Sequence, residues 1–71
     1  MIISIDRNAV LNAIRSHERE YKIAHVRWSV FGIKFIPHGD NKRLHFNVKN
    51  KQLLMWAMLK YGFEIETNSN L

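Results

Sequence analysis

The stretch that decides the fold is residues 24–50, AHVRWSVFGIKFIPHGDNKRLHFNVKN, which alternates apolar and polar side chains on both sides of a turn-forming tetrapeptide. A half-buried strand places apolar residues at every second position. The sequence therefore predicts two antiparallel strands that turn back at residues 38–41. Gly39 and Asp40 suit a two-residue turn, and a loop of four residues fits almost as well. Pro37 lacks a donor and is expected where strand pairing ends.

In the part of this stretch before the turn, the alternation of apolar residues shifts by one position. Apolar side chains occupy even positions up to Val30 and odd positions from Phe31 onward. A bulge at Gly32 would absorb this slip, because glycine tolerates the backbone angles of an extra residue. The alternative is a tight turn at residues 31–32, which would give three short strands. The bulge is favoured, because the tight turn would require a positive φ that an aromatic residue disfavours.

If the two predicted strands fold back at Gly39 and Asp40, apolar residues pair with apolar residues and polar residues with polar residues across the strands. The predicted pairs are Phe35 with Leu44, Lys34 with His45, Ile33 with Phe46, and Phe31 with Val48.

The chain before this hairpin predicts a strand and a helix. Residues 2–5 are short and β-branched, and Asp6 is a suitable N-cap for a helix from Arg7 to Tyr21. Its expected apolar stripe is Val10, Leu11, Ile14, His17 or Glu18, and Tyr21. Its opposite face carries Asn8, Asn12, Arg15, Arg19 and Lys22. That face is either a phosphate-contacting ridge or a solvated surface.

A second helix is predicted at residues 51–61, capped by Asn50 and ended by Gly62. Leu54, Ala57, Met58 and Tyr61 are expected to face the core. Met55, Trp56 and Leu59 would then project outward as a partner interface, unless the first helix and the carboxyl-terminal segment cover them. Residues 63–67 alternate again and predict a last strand, with Glu64 and Glu66 pointing outward.

The predicted order of strand, helix, strand, strand, helix, strand defines an α+β fold. It corresponds to the βαββαβ ferredoxin-like split arrangement, with a four-stranded antiparallel sheet and two helices on one face. The alternative is αβββα, which follows if residues 31–32 form a turn. Residues 1–67 are expected to form a single domain, and residues 68–71 a frayed tail.

The amino-acid composition limits the functions that the protein can have. The chain has 71 residues, no cysteine and a net charge of +5. The absence of cysteine excludes a disulfide framework, a thiolate metal site and a thiol nucleophile. The histidines lack the spacing of zinc signatures, so no metal and no cofactor is expected. We expect a cytoplasmic location without a membrane association, because the sequence contains no apolar run long enough to span a bilayer and no secretory signal. The positive charge predicts an anionic partner.

In the predicted fold, one sheet face remains uncovered and carries cationic and hydrogen-bonding side chains. These are His25, Arg27, Ser29, Lys34, Arg43, His45, Asn47 and Lys49. Cations contact phosphates, and asparagine and histidine reach base edges or a 2′-hydroxyl. The predicted nucleic-acid-binding residues are His25, Arg27, Lys34, Arg43, His45, Asn47 and Lys49, together with Arg15 and Arg19. Residues 42–48 lack the glycine-aromatic pattern of the RNA-recognition fold.

The sequence thus predicts a small RNA-binding protein that acts in regulation or processing of RNA without turnover. A homodimer through Met55, Trp56 and Leu59 is compatible with this function. The first alternative is a protein-interaction module, an inhibitor or adaptor that docks its apolar second helix on an enzyme. The second is a minimal metal-independent endoribonuclease, with His25 and His45 as acid and base beside Lys34 or Arg43. Asn, Lys and Ile make up 21 of the 71 residues. That bias favours an AT-rich genome such as that of a phage.

Overall fold

The fold is a four-stranded antiparallel sheet with two helices, seen in a computed structural model that describes residues 1–39 and 41–67. The elements are β1 (Ile2–Asp6), α1 (Arg7–Tyr21), a short 3₁₀ helix (Trp28–Phe31), β2 (Ile33–Ile36), β3 (Arg43–Val48), α2 (Lys51–Tyr61) and β4 (Ile65–Thr67). The strand order β2-β3-β1-β4 fits a ferredoxin-like arrangement. The α+β prediction is confirmed, and the αβββα alternative is wrong. The predicted frayed tail at residues 68–71 and the turn residue Asp40 lie outside the described residues.

The hydrophobic core lies between the two helices and one face of the sheet. The sheet contributes Ile3, Ile5, Ile33 and Phe46, and the helices contribute Val10, Ala13, Leu54 and Ala57. Because side chains alternate along a strand, Ser4 and His45 lie on the opposite face. The cationic side chains of the strands therefore lie away from the helices.

Both helices begin and end at the residues that the sequence predicts. The Asp6 carboxylate accepts from the Ala9 amide at 3.0 Å, and the Asn50 side chain accepts from the Leu53 amide at 3.1 Å. Gly62 ends α2 with a left-handed φ of 74°. Among the described residues, neither helix is long and apolar enough to cross a membrane.

Residues 24–30 do not form the predicted strand. They lead instead into the 3₁₀ helix, which Gly32 ends at a φ of 68°. In a 3₁₀ turn residues three apart lie on the same side, so Trp28 and Phe31 both turn toward the core. The one-residue slip in the apolar pattern therefore marks a change of backbone conformation, and the predicted β-bulge at Gly32 is wrong.

The hairpin between β2 and β3 forms with a register shifted by two residues from the predicted one. Phe35 faces Phe46, and Ile33 faces Val48. A shift of two keeps every side chain on its predicted face, whereas a shift of one would reverse them all. Pairing stops at Ile36, immediately before Pro37, which has no amide hydrogen to donate.

The apolar stripe of α1 is rotated relative to the prediction. The buried residues are Val10, Ala13 and His17, whereas Tyr21 is exposed. His17 is tolerated in the core because its Nδ1 lies 2.7 Å from the Tyr61 hydroxyl and forms a hydrogen bond with it. The predicted core face of α2 is confirmed, with Leu54 and Ala57 buried and Met58 and Tyr61 packed against the core.

Candidate nucleic-acid interface

A groove lies at the sheet edge where β2, the 3₁₀ helix and the end of β3 meet. Its volume is about 440 Å³, and its lining contains three cations, namely Arg27, Lys34 and Lys49. The other lining residues are Trp28, Ser29, Gly32, Ile33, Phe35 and Asn50. No carboxylate is among the lining residues, so their formal charge is +3, and the surface between the cations is mostly apolar. An anionic ligand suits such a groove.

Gly32 holds the walls of this groove together. Its carbonyl oxygen accepts hydrogen bonds from the Lys49 amide at 2.7 Å and the Asn50 amide at 2.9 Å. A Cβ at this position would overlap the Asn50 carbonyl oxygen and lie 3.0 Å from the Leu53 Cβ. Glycine is therefore required both for its left-handed φ and for the close approach of the two walls.

Two aromatic rings of the groove lean against the same core residue. The rings of Trp28 and Phe35 contact Phe46 edge-on, with centroids 4.9 and 5.8 Å away. Phe46 is fully buried, while Phe35 is 40% exposed and Trp28 is half-buried. Sequence reasoning assigned both rings to the core. The sequence pattern alone does not show that Phe35 is partly exposed, because that exposure depends on β2 being at the edge of the sheet.

Besides Lys34, three of the predicted binding residues lie on the uncovered sheet face, and two of these three are engaged within the fold. Arg43 donates from Nε to the Ser4 hydroxyl at 2.9 Å and from Nη2 to the Ser4 carbonyl at 3.0 Å, and its Nε lies 3.7 Å from a Glu66 oxygen. His45 is 8% exposed. The third, Asn47, is half-buried and pairs across the strands with Lys34. Arg43 therefore ties β3, β1 and β4 together instead of standing free for a ligand.

His45 is covered by a second imidazole from the hairpin loop. The rings of His38 and His45 stack with centroids 4.0 Å apart. The buried Nδ1 of His45 has no hydrogen-bond partner in the described part of the chain. This nitrogen is not accessible to solvent.

His25 lies in the irregular segment between α1 and the 3₁₀ helix, so its predicted position on a strand is wrong. It is exposed and has a φ of 58°. None of the hydrogen bonds or ring contacts seen in residues 1–39 and 41–67 joins it to His45. The acid and base pair of the predicted endoribonuclease therefore has no geometric support. In the same residues, no group of three or more histidines and carboxylates is placed to hold a metal ion.

Arg15 and Arg19 lie together on α1, at a different place from the groove. With Asn12, Glu18, Ile23 and Ala24 they line an open hollow of about 670 Å³. The Glu18 carboxylate within this lining offsets part of the positive charge. The formal charge of the hollow's lining residues is therefore +1, lower than that of the groove's lining, although the hollow is larger.

The outer face of α2 is exposed, as the sequence predicts. Leu59 is 86% exposed and Met55 55% exposed, and Leu53 and Trp56 are partly exposed beside them. Within the described residues, α1 covers only part of this face, where the His17 ring lies edge-on to the Trp56 ring with centroids 6.1 Å apart. We call Leu53, Met55, Trp56 and Leu59 the α2 patch.

Lys60 closes one end of the α2 patch. Its ammonium group lies 3.0 Å from a Glu20 oxygen and 5.4 Å from the centroid of the Trp56 ring. The hydrogen bond to Glu20 raises the pKa of Lys60. Lys60 therefore links α2 to α1 and is not part of the groove charge.

No family model, curated protein or solved structure matches the chain. The interpretation of its surfaces therefore rests on its own residues.

Proposed function

We propose that this protein binds nucleic acid, with RNA as the favoured ligand, and that it acts in regulation or processing of RNA without turnover. The observation that carries the proposal is the convergence of Arg27, Lys34 and Lys49 on one groove free of carboxylates. Each cation can contact a phosphate and release its condensed counterions. The cytoplasmic location and the phage origin expected from the sequence remain predictions.

RNA is favoured over duplex DNA because the helices offer no surface suited to the major groove. The α2 patch is apolar, and the indole N–H of Trp56 is its only side-chain N–H or O–H donor for base edges. Arg15 and Arg19 on α1 share their hollow with Glu18, which phosphates would repel. The cationic groove, by contrast, suits a flexible strand that follows its curvature.

The test of the proposal is binding of the purified protein to a tRNA-sized RNA, a single-stranded DNA and a duplex DNA, measured by fluorescence anisotropy across a salt series. If three single-strand phosphate contacts form, the affinity for RNA should fall about 20-fold between 50 and 200 mM salt. RNA integrity on the same samples reports any cleavage. Absence of RNA binding near physiological salt would contradict the proposal.

A second candidate function is protein interaction through the α2 patch, as an inhibitor or adaptor. Exposed apolar surface of this kind marks partner sites in many proteins. We propose a second copy of the chain as the occupant, because an uncharged helix face can pair with itself about a two-fold axis without like-charge repulsion. Such a dimer would present two grooves to one RNA.

Leu59→Gln is expected to abolish this self-association. The side chain is 86% exposed in the monomer, so the fold should lose almost nothing. Sedimentation equilibrium of the wild type should give a dimer that the variant lacks. Ile23→Gln, an exposed apolar residue outside the α2 patch, is the matched control and should dimerise as the wild type does. A wild-type chain that is monomeric at all concentrations would exclude the dimer.

A further inference from the structure

Phe35 presents an aromatic surface at the cationic groove. Its ring is held on one side by the buried Phe46 and is 40% exposed. Trp28 is held against Phe46 in the same edge-on manner and lines the same groove. Both rings therefore have a packing partner before any ligand arrives, and such support lowers the entropy lost on binding.

The groove thus combines three cationic side chains with two aromatic rings that pack against Phe46. Proteins that hold single strands use this combination, because a cationic groove follows the backbone while bases stack on aromatic side chains. A duplex keeps its base faces stacked on one another, so only an unpaired strand can offer them to Phe35.

We infer that the groove formed by the 3₁₀ helix, β2 and the end of β3 binds an unpaired RNA segment by stacking a base on Phe35, with Trp28 as the second aromatic contact. This inference rests on the proposed function and names the form of RNA that the site takes. Arg27, Lys34 and Lys49 then hold the phosphates on either side of the stacked base. An acidic peptide would satisfy the charges but would not use the aromatic faces.

The test compares three probes: an oligouridylate of about 12 nucleotides, within the known range of single-strand site sizes, a duplex RNA of matched charge, and polyglutamate of matched charge. The wild type should bind the oligouridylate at least about tenfold more tightly than the other two. Phe35→Leu keeps an apolar contact with Phe46 and removes the aromatic face. It should weaken oligouridylate binding about tenfold and leave polyglutamate binding unchanged.

Two further variants make the result specific. Phe35→Trp keeps a stacking surface and should bind oligouridylate like the wild type. Tyr21→Leu removes an exposed aromatic ring that lies outside the groove lining and should also bind like the wild type.

In a Trp56→Phe background, the emission of Trp28 should change on binding of oligouridylate but not of polyglutamate.

The outcomes separate this inference from the proposed function. Equal binding of oligouridylate, duplex RNA and polyglutamate, with Phe35→Leu like the wild type, would overturn base stacking while leaving charge-driven nucleic-acid binding intact. Absence of binding to any nucleic acid would overturn both. If Phe35→Leu fails to fold, an unchanged Trp28 emission in the Trp56→Phe protein on saturation with oligouridylate overturns the stacking site.

Discussion

Gly32→Ala is expected to destabilise the fold by at least about 2 kcal/mol. An alanine would carry a left-handed φ of 68°, and its Cβ would overlap the Asn50 carbonyl oxygen. Relief of that overlap requires the two groove walls to separate, which weakens the hydrogen bonds that the Gly32 carbonyl accepts from Lys49 and Asn50. Urea unfolding followed by circular dichroism measures the loss.

The other two glycines provide matched controls. Gly62 has a φ of 74° but open space around its Cβ position, so Gly62→Ala should show only the backbone cost, about 1 kcal/mol. A Cβ at Gly39 would meet nothing within 4 Å, so Gly39→Ala should be close to neutral. If Gly32→Ala costs no more than Gly62→Ala, the close approach of Gly32 to Asn50 is wrong.

Replacing Arg27, Lys34 and Lys49 together with glutamine is expected to remove most of the affinity for RNA. On a plot of log affinity against log salt concentration, the slope should become less steep by about two. Each of the three single-strand phosphate contacts contributes about 0.7 to that slope. All three residues are exposed, so thermal unfolding should change little.

The matched control is the triple replacement of Arg15, Arg19 and Lys22 on α1 by glutamine. It removes the same charge from the other cationic surface that the sequence predicts, and all three residues are exposed. Its RNA affinity should stay much closer to that of the wild type. An equal loss in the two triple variants would indicate that net charge alone drives binding, and that the groove has no special role.

Local signals in the sequence were sufficient for most of the fold. Asp6, Asn50 and Gly62 mark helix ends through their own caps, so the bounds of α1 and α2 were predictable without tertiary information. The face of the sheet on which each hairpin side chain lies was also predictable, because a register shift of two residues leaves every side chain on the same face. The register itself was not predictable, since it depends on where the ladder stops at Pro37.

Residues 24–30 were wrongly predicted to form a strand. Their apolar and polar alternation extends over only seven residues, and tertiary packing overrides so short a pattern. The contacts of Phe31 with the core and of Gly32 with residues 49 and 50 decide that conformation, and these are distant in sequence. For the site, the sequence identified the cations but not their grouping. Only the folded chain shows that Arg43 is engaged with Ser4 and Glu66, and that Phe35 lines the same groove as Arg27 and Lys49.

The most direct test of the central claim is an amide chemical-shift map of the protein titrated with a single-stranded RNA. We expect shifts at Arg27, Trp28, Lys34, Phe35 and Lys49, and none along α1 or at Met55, Trp56 and Leu59. Shifts confined to Arg15 and Arg19 or to the α2 patch, or no shifts at all, would contradict the assignment of the groove as the nucleic-acid site.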